Sequence, residues 1–521
     1  MGKKPIITAA EAAALVKDGD TITASGFVAI GLPESLNKAV EKRFLETGHP
    51  CNLLYFYAAA QGDKAGGGAD HYAHKGMIRR VIGGHYNMAP KMGEAITKNE
   101  FEAYNLPQGS LSELFRDIAG HKAGHITHVG LNTFVDPRVE GGKLNEVTKE
   151  DYVKLIEIDG QEKLFFPAFP INVAFIRGTY ADENGNVSLQ KEACPIEATS
   201  QAAATHNSGG IVIVQVEKVV ANGCLDPKLV KIPGIYVDYL VVAEDPQDQV
   251  QCSAIEGFTY DPAMSGEVVA PLAGMEFPPM SAKKIIGRRA ALELQKNAVV
   301  NLGIGAPEYV AMVANEEGIG DWMTLTVEAG GIGGVSQGGN KFGGAVNAEA
   351  LLDQPYQFDF YDGGGVDLAY LGLAEVDEAG NLNVSKFNGR VAGCGGFINI
   401  TQNAKKVFFC GTFTAAGLKE KVEDGKLVVT QEGKQKKFIK KVEQITFSGD
   451  YAKKNGQPVT YITERAVFEL RADGLYLTEI APGIDLQTQV LDLMEFAPKM
   501  PEGGPKLMDA RIFNDGLMGL K

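Results

Sequence analysis

Apolar residues along the chain follow two periods, one typical of helices and one typical of strands, and the two alternate. An alanine-rich stretch from Thr8 to about Val16 predicts a helix, and the apolar residues of Thr21–Ala24 predict the strand that follows it. A glycine-containing loop comes next, and Pro33 is well placed to begin another helix, because its fixed φ suits a first turn. Strands alternating with helices predict an α/β fold with a parallel sheet.

The same order of elements returns in the second half of the chain. Ser281 is predicted to cap a helix that extends through Leu294, and a strand is predicted from Val299. A loop then leads into a helix at Pro307, which lies 274 residues after Pro33. The chain is therefore predicted to be internally duplicated.

A second pair of segments supports the duplication. Residues 173–186 resemble residues 368–381 at a spacing of 195. The polar residues that pair at this spacing are Asp182 with Asp377 and Asn186 with Asn381. Since the spacing falls from 274 to 195, the first half is predicted to hold an insertion, at about residues 61–172.

The predicted fold class is α/β, with two related open α/β domains that arose from the duplication. The N-terminal domain is predicted to span residues 1–265, including the insertion, and the C-terminal domain residues 280–521. The boundary is placed at residues 262–279, where four prolines interrupt the periodic pattern.

Composition limits the kinds of partner. The chain has 521 residues, 45% of them hydrophobic, and a formal net charge of -15, which argues against nucleic acid and an anionic membrane as main partners. Its six cysteines are scattered without a C-x-x-C pair, which favours free thiols in the cytoplasm. The sequence contains no apolar run of transmembrane length, so no membrane span is expected.

The strongest chemical signal is Glu328. Residues 323–327 predict a short strand that is buried on both faces, and Glu328 comes directly after it, followed by a run of glycines. Open α/β sheets bind ligands at the carboxyl ends of their strands, and glycines leave backbone N–H groups free to bind an oxyanion. Glu328 is therefore a candidate covalent nucleophile, although a glycine-rich turn with a solvated or N-capping glutamate is the alternative. Tyr57 occupies the matching place in the first half, so the chemistry is assigned to the second half.

Three segments resemble the family I CoA-transferases: Asn301-Leu-Gly-Ile-Gly-Ala-Pro, Glu328-Ala-Gly-Gly and Val391-Ala-Gly-Cys-Gly-Gly-Phe. Gly83-Gly-His-Tyr and Asn105-Leu-Pro-Gln-Gly are similar to the single-chain branch of this family, which includes transferases for propionate, lactate and acetate. The resemblance covers nearly the whole chain, and its most specific part is the segment around Glu328.

The resemblance implies that Glu328 passes through an acyl anhydride and a glutamyl-CoA thioester. It also implies that acyl-CoA and short-chain carboxylates are the substrates, that no metal and no permanently bound cofactor take part, and that the protein is a homo-oligomer, either a dimer or a tetramer. Residues that the resemblance assigns to oxyanion or CoA binding are Asn301, Gly393, Gly395 and Gly396, with Gly31 in the 26–31 loop as an alternative source. Cys394 interrupts the glycine run, and the lysine that the family places after its glutamate has no clear equivalent.

Four other motifs are interpreted as structural. Gly334-Val-Ser-Gln-Gly fits a nucleophile elbow, but that fold needs a histidine after the serine, and the last histidine here is His206. His121, His125 and His128 have metal-like spacing, yet a polar helix face or a capping role is favoured. Gly363-Gly-Gly is interpreted as a tight turn that could also line a CoA tunnel, and the lysines of residues 434–441 as a solvated hairpin edge.

Three functional classes remain open at this point. A CoA-transferase acting on propionate, acetate, lactate, butyrate or acetoacetate is favoured by Glu328 and by the duplicated halves. An acyl-CoA hydrolase on the same fold would need water to reach the glutamyl-CoA intermediate. A non-catalytic ligand-binding protein would have no use for a carboxylate on a glycine loop.

Overall fold

The computed structural model describes residues 2–271 and 277–521, which pack into two compact units. Unit 1 comprises the residues up to Ala270 together with Val327–Phe360 and Phe387–Asn399. Unit 2 comprises Pro271–Thr326, Tyr361–Lys386 and Ile400–Lys521. These units describe packing, whereas the predicted domains 1–265 and 280–521 describe ancestry, and that ancestral division stays a prediction. Part of the predicted boundary, residues 272–276, lies outside the described residues.

Unit 1 is built on a seven-stranded sheet in which all neighbouring strands are parallel. Its order is β7-β6-β5-β1-β2-β3-β4. The strands are β1 Thr21–Ala24, β2 Leu53–Ala60, β3 Ile78–His85, β4 Glu102–Asn105, β5 Val173–Arg177, β6 Ile211–Val216 and β7 Tyr239–Val242. Val173 and Phe175 of β5 belong to one buried cluster, and Ala174 and Ile176 to another, so both faces of the sheet are covered.

Among the described residues, five α-helices lie wholly in unit 1: α1 Ala9–Ala14, α2 Glu34–Thr47, α3 Pro90–Thr97, α4 Gln108–Ala119 and α5 Ala198–Asn207. The predicted first helix is confirmed but shorter, and Thr8 caps it in a capping box with Glu11. Pro33 directly precedes α2, as predicted. The smaller strands of this unit are Gly124–Thr127, Lys154–Ile158, Gln161–Pro167, Tyr180–Asp182, Val187–Ser188, Lys218–Val220, Val230–Ile232, Gly331–Ile332, Val335–Ser336, Ala345–Val346, Ala350–Leu351 and Arg390–Val391.

Unit 2 has a sheet of the same kind, extended on one side. Its strands lie in the order β9-β8-β10-β11-β12-β13-β14-β15, parallel as far as β12. They are β8 Ala298–Leu302, β9 Met323–Thr326, β10 Leu368–Gly372, β11 Lys406–Cys410, β12 Val459–Ile462, β13 Ala466–Arg471, β14 Gly474–Ile480 and β15 Lys506–Leu507. The helices are α6 Ala282–Ala291, α7 Glu308–Glu316, α10 Gly449–Lys454 and α11 Leu486–Gln489, while α8 Gln354–Asp362 and α9 Phe397–Asn403 begin in segments of unit 1.

Short strands complete unit 2: Glu375–Val376, Leu382–Asn383, Thr414–Ala415, Lys419–Glu423, Lys426–Gln431 and Gln435–Lys436, and a further strand is Lys386–Phe387. Ser281 caps α6 as predicted, although the helix ends at Ala291, before Leu294. One prediction about β9 is wrong, because Met323, Thr324 and Leu325 are only half-buried. The prediction for residues 434–441 is wrong at Lys437, which is buried and donates a hydrogen bond to the Thr412 carbonyl.

The duplication is visible in strand order and in hydrogen bonding. The order β7-β6-β5-β1-β2 in unit 1 matches β12-β11-β10-β8-β9 in unit 2. Asp182 accepts hydrogen bonds from the backbone and the side chain of Asn186, and Asp377 accepts the same two from Asn381. The sequence pairing is therefore confirmed, down to the turn that each aspartate closes.

The extra residues of the first half add strands to one edge of the sheet. Between β2 and β5 the chain forms β3, β4, α3, α4 and a three-stranded antiparallel sheet of Gly124–Thr127, Gln161–Pro167 and Lys154–Ile158. This addition supplies the His85 and Asn105 ends of two strands, which hold the loop described next. No helix among the described residues is both long and apolar enough to cross a membrane.

Candidate active site

Glu328 lies in a tight turn immediately after β9. The Val327 N–H donates to the Gly331 carbonyl at 2.8 Å, and the Gly330 N–H donates back to the Val327 carbonyl at 3.0 Å. Gly330 has a φ of +120°, and a Cβ there would lie 1.9 Å from the Leu352 carbonyl oxygen. Only glycine fits this position, so one of the predicted glycines is required by close packing of the backbone.

The Glu328 carboxylate accepts a hydrogen bond from the backbone N–H of Gly396. Burial raises the pKa of Glu328 to about 7, and the Gly396 hydrogen bond opposes this rise by favouring the ionised form. The side chain is nevertheless partly exposed, so that solvent or a substrate reaches it while most of its surroundings are protein. A carboxyl group with these properties is ionised in a good fraction of molecules near neutral pH and is poorly solvated.

The loop of residues 393–396 is held by backbone and amide hydrogen bonds from the inserted segment. The Gly395 N–H donates to the Gly84 carbonyl at 2.8 Å, and the Gln108 N–H donates to the Gly395 carbonyl at 3.0 Å. The Cys394 N–H donates to Asn105 Oδ1 at 2.9 Å. Because these bonds fix the loop on both sides, the Gly396 N–H has a set direction toward Glu328.

The three glycines of this loop are required for different reasons. A Cβ on Gly396 would lie 2.9 Å from Glu328 Cδ and 3.0 Å from Phe358 Cζ. A Cβ on Gly393 would lie 2.7 Å from His85 Cα, which is a backbone clash. Gly395 has a φ of +52°, but the nearest atom to its Cβ position is 3.7 Å away. Gly396 is therefore the glycine whose absence of a side chain leaves room for the carboxylate.

Gly31 lies in the 26–31 loop, where a Cβ on it would lie 3.3 Å from Ile196 Cδ1. Its carbonyl accepts from Ser25 Oγ at 2.8 Å, and its φ is +68°. The apolar residues of the 26–31 loop belong to a buried cluster that also contains Ala329, the residue after Glu328. The loop therefore packs in the same buried cluster as the residue that follows Glu328, and a donor role for Gly31 stays a prediction.

Asn301 is a buried residue of unit 2. Its Nδ2 donates to the Thr326 carbonyl at 3.1 Å and to Tyr361 Oη at 3.3 Å, which engages both hydrogens of the amide. Its Oδ1 is buried and has no hydrogen-bond partner among residues 2–271 and 277–521. The amide thus secures the end of β8 to the end of β9, and its predicted part in oxyanion binding stays a prediction.

Tyr57 is a fully buried residue of β2. Its Oη donates to the His85 carbonyl at 3.2 Å, and burial raises its pKa well above the usual value. It is therefore a neutral phenol that holds neighbouring strands together, with no acidic group at the corresponding place in unit 1.

The sequence reasoning missed the side chains of Gln108, Glu197 and Gln354, which are all buried and hydrogen-bonded in one chain near the glycine loop. The Asn105-Leu-Pro-Gln-Gly segment was a usable signal for Gln108, since it is one of the segments that carry the family resemblance. The other two residues have no local signal, because Gln354 lies 246 positions after Gln108 in the sequence.

The competing motifs have structural explanations. Ser336 lies in a two-stranded hairpin, where no strand-to-helix elbow exists. The prediction for the histidines is wrong for His125, which lies in a strand and pairs with Glu113 and Asp117 of α4. These two carboxylates raise the pKa of His125 to about 9 despite its burial. His121 contacts the Asn207 carbonyl instead, so the structure does not bring the histidines together as a metal site.

Comparison with known proteins gives consistent matches. The family model described as coenzyme A transferase matches residues 6–243. The chain is 46% identical over 519 residues to the caffeate CoA-transferase of Acetobacterium woodii, covering 99% of this chain and 98% of that protein. It is 44% identical over 521 residues to the acetate CoA-transferase YdiF of Escherichia coli K12, covering 99% and 97% respectively. The structure matches the thioester complex with CoA of YdiF from Escherichia coli O157:H7 with a TM-score of 0.92 and 43% identity, covering 100% of this chain and 98% of that chain.

Proposed function

The chain belongs to the family of coenzyme A transferases, and from this premise we propose that Glu328 is the covalent nucleophile of the reaction. The enzyme transfers coenzyme A between acyl-CoA thioesters and free carboxylates, with CoA as a substrate.

The proposed reaction needs only the acyl-CoA, the Glu328 carboxylate and the acceptor acid. The Glu328 carboxylate attacks the thioester carbonyl, the carbon–sulfur bond breaks, and an acyl-glutamyl anhydride and CoA thiolate are formed. The thiolate then attacks the glutamyl carbonyl, which gives the glutamyl-CoA thioester and releases the first acid as a carboxylate. The second carboxylate attacks the glutamyl thioester, and the two steps run in reverse to produce the new acyl-CoA.

The observation that carries the proposal is the close approach of the Gly396 backbone to the Glu328 carboxylate: a Cβ on Gly396 would lie 2.9 Å from Glu328 Oε2, and the Gly396 N–H favours the ionised carboxylate. When the thiolate attacks the glutamyl carbon, one glutamyl oxygen becomes an oxyanion, and a backbone N–H already directed at that oxygen stabilises it without reorganisation. The pKa of about 7 adds to the reactivity, since a poorly solvated carboxylate needs to lose few water contacts before it attacks.

The substrate acids are proposed to be short-chain carboxylates, with propionate and acetate first. One relative of nearly the same identity is named for acetate, and another is named for caffeate, an aromatic acid. The two names agree on a carboxylate acceptor and differ in its size, so the preference among acids has to be measured. We also infer that the enzyme is a homo-oligomer of the cytoplasm, which light scattering and fractionation would test.

Trapping the intermediate tests the role of Glu328. Incubation with propionyl-CoA alone should add the mass of CoA less water to the peptide that contains Glu328. Glu328→Ala and Glu328→Gln should lose transfer by several orders of magnitude, while Glu349→Gln, an exposed glutamate on the same segment, should keep it. A label on another residue, or normal transfer by Glu328→Ala, would show that the nucleophile lies elsewhere.

A second assay separates transfer from hydrolysis. Propionyl-CoA is mixed with acetate, with caffeate or with buffer alone, and CoA esters are followed by chromatography. A transferase produces acetyl-CoA at a rate that depends on acetate and leaves propionyl-CoA intact in buffer. Consumption of propionyl-CoA at equal rates in all three mixtures would identify a hydrolase, and preferential formation of caffeoyl-CoA would overturn the short-chain assignment.

A further inference from the structure

Three buried side chains, those of Gln108, Gln354 and Glu197, form a hydrogen-bonded network that ends beside the glycine loop. Gln108 Nε2 donates to Gln354 Oε1 at 3.1 Å, and Gln354 Nε2 donates to Glu197 Oε2 at 3.0 Å. Glu197 and Gln354 are 0% exposed and Gln108 is 1% exposed, so water does not compete for these bonds. Buried polar groups of this kind are costly unless they are fully hydrogen-bonded, which makes their arrangement specific.

Each residue of this network lies at the start of a helix, which fixes the position of its backbone. Gln108 is the first residue of α4, Gln354 is the first residue of α8, and Glu197 is the cap residue of α5. The Gln354 N–H donates to the Ile196 carbonyl at 2.8 Å, which places it directly beside Glu197. With their backbones held in this way, the side chains can change little except by exchanging the two ends of an amide.

Glu197 determines which end each amide presents. Its second oxygen accepts from Gln201 Nε2 at 3.1 Å, so both oxygens receive N–H donors. Burial raises the pKa of Glu197 to about 8, and its own backbone N–H opposes this rise. In the structure both carboxyl oxygens act as acceptors, one from Gln354 and one from Gln201. Gln354 therefore turns its NH₂ group to Glu197 and its oxygen to Gln108.

Gln108 links this network to the loop of residues 393–396. One of its N–H bonds is used by Gln354, and its Oε1 lies 3.7 Å from the position that a Cβ on Gly395 would occupy. Its backbone N–H holds the Gly395 carbonyl at 3.0 Å. Gln108 thus contacts the loop that donates to Glu328. Whether its amide presents the oxygen or the NH₂ group to that loop depends on the hydrogen bond with Gln354.

We propose that Glu197 and Gln354 are positioning residues that fix which end of the Gln108 amide faces the Gly395 loop and the acyl group beside it. The proposal rests on the proposed role of Glu328. Neither residue contacts the reacting atoms. Glu197 acts through Gln354, and Gln354 acts through Gln108.

Exchanging the two polar groups provides the test. Glu197→Gln replaces one of the two accepting oxygens with an NH₂ group, so both orientations of the amides become available. Gln354→Glu places two carboxyl groups side by side. Each single variant should lower kcat for exchange between propionyl-CoA and acetate about 10-fold to 100-fold, with KM for propionyl-CoA changed by less than about threefold.

The double variant Glu197→Gln with Gln354→Glu should recover most of the lost kcat. It restores one carboxylate and one amide, and the carboxylate at position 354 again accepts from Gln108. A role confined to stability would alter the folded fraction and leave kcat per folded molecule at the wild-type value. If a charged variant does not fold, Gln354→Met removes the hydrogen bonds of Gln354 to Gln108 and Glu197 without adding charge. It should show the same loss of kcat.

A matched control is Gln215→Met, because Gln215 is 0% exposed in the same unit and its amide bonds the Ser35 N–H and the Asp248 carbonyl. It should keep the wild-type kcat per folded molecule. Wild-type kcat in Glu197→Gln and Gln354→Met, or a double variant as slow as the single ones, would overturn the positioning role. The mass label on Glu328 in the wild-type enzyme reports separately on the nucleophile, so the two proposals fail by different results.

Discussion

Replacing Glu328 by glutamine should make the folded protein more stable, by an amount that depends on pH. The folded pKa is about 7, against 4.5 for an unperturbed glutamate, so ionisation costs the folded protein about 3 kcal/mol more than the unfolded chain. The sign follows from the raised value: the cost is absent well below pH 4.5, grows as pH rises, and is complete above about pH 7. The amide of Glu328→Gln never ionises and avoids the cost.

The expected gain in the free energy of unfolding is about 3 kcal/mol at pH 8 and less than about 1 kcal/mol at pH 5. Partial exposure of the side chain makes the first figure an upper value. Urea unfolding at pH 5, 6, 7 and 8 measures it, with far-ultraviolet circular dichroism as a global signal. The single tryptophan, Trp322, lies directly before β9 and gives a second, fluorescence signal from unit 2.

Two results would refute the reasoning. A gain that is equal at pH 5 and pH 8 would mean that the substitution improves packing and that ionisation has no part in it. A loss of stability at pH 8 would mean that the Gly396 hydrogen bond to the charged carboxylate outweighs its burial. Glu349→Gln, made on an exposed side chain of the same segment, is the control for the loss of one carboxyl group from the surface.

Three further predictions follow from the same geometry. Gly396→Ala places a methyl group 2.9 Å from the Glu328 carboxyl carbon, so kcat should fall at least about 100-fold with little change in thermal midpoint, and a lower midpoint with normal kcat would contradict this. Tyr57→Phe removes only the hydrogen bond to the His85 carbonyl, so it should cost about 1 kcal/mol of stability and keep most of the transfer activity, and inactivity equal to that of Glu328→Ala would contradict the assigned division of labour. Because a protonated Glu328 cannot attack, kcat/KM for propionyl-CoA should fall about tenfold per pH unit below pH 7, and a flat profile from pH 5 to pH 8 would exclude a pKa of about 7 in the free enzyme.

The duplicated fold and the place of Glu328 were predictable because both depend on local patterns. The turns closed by Asp182 and Asp377 are short-range structures, so their residues recur at fixed offsets in each copy. Glu328 follows a strand, and the end of a strand is recognisable from apolar periodicity and glycines. Even so, the burial of β9 was overestimated, since an apolar pattern does not show how completely a short strand is covered.

The supports of the site were not predictable in the same way. The contacts of Gly395 with Gly84 and Gln108 join residues that lie more than 280 positions apart in the sequence. The link between Gln108 and Gln354 depends on where two helices begin in space, and a buried glutamine has no periodic signature. For Asn301, the side chain was expected to be available as a donor, whereas the structure uses both of its amide hydrogens between strand ends and at Tyr361.

The discontinuity of unit 1 has a consequence for how the protein is made. Its first segment ends at Ala270, but two further segments, one with Glu328 and one with Gly396, are completed only at Asn399. On a ribosome that adds about 5–20 residues per second, the last of these leaves about 130 residues after the first, a delay of roughly 6–26 seconds. During that interval all seven strands of the unit 1 sheet have been synthesised, whereas the segments that carry Glu328 and Gly396 have not, so these segments join a unit whose sheet residues are already present. Synonymous codons that slow synthesis between positions 270 and 399 would lengthen this waiting period without changing a single amino acid.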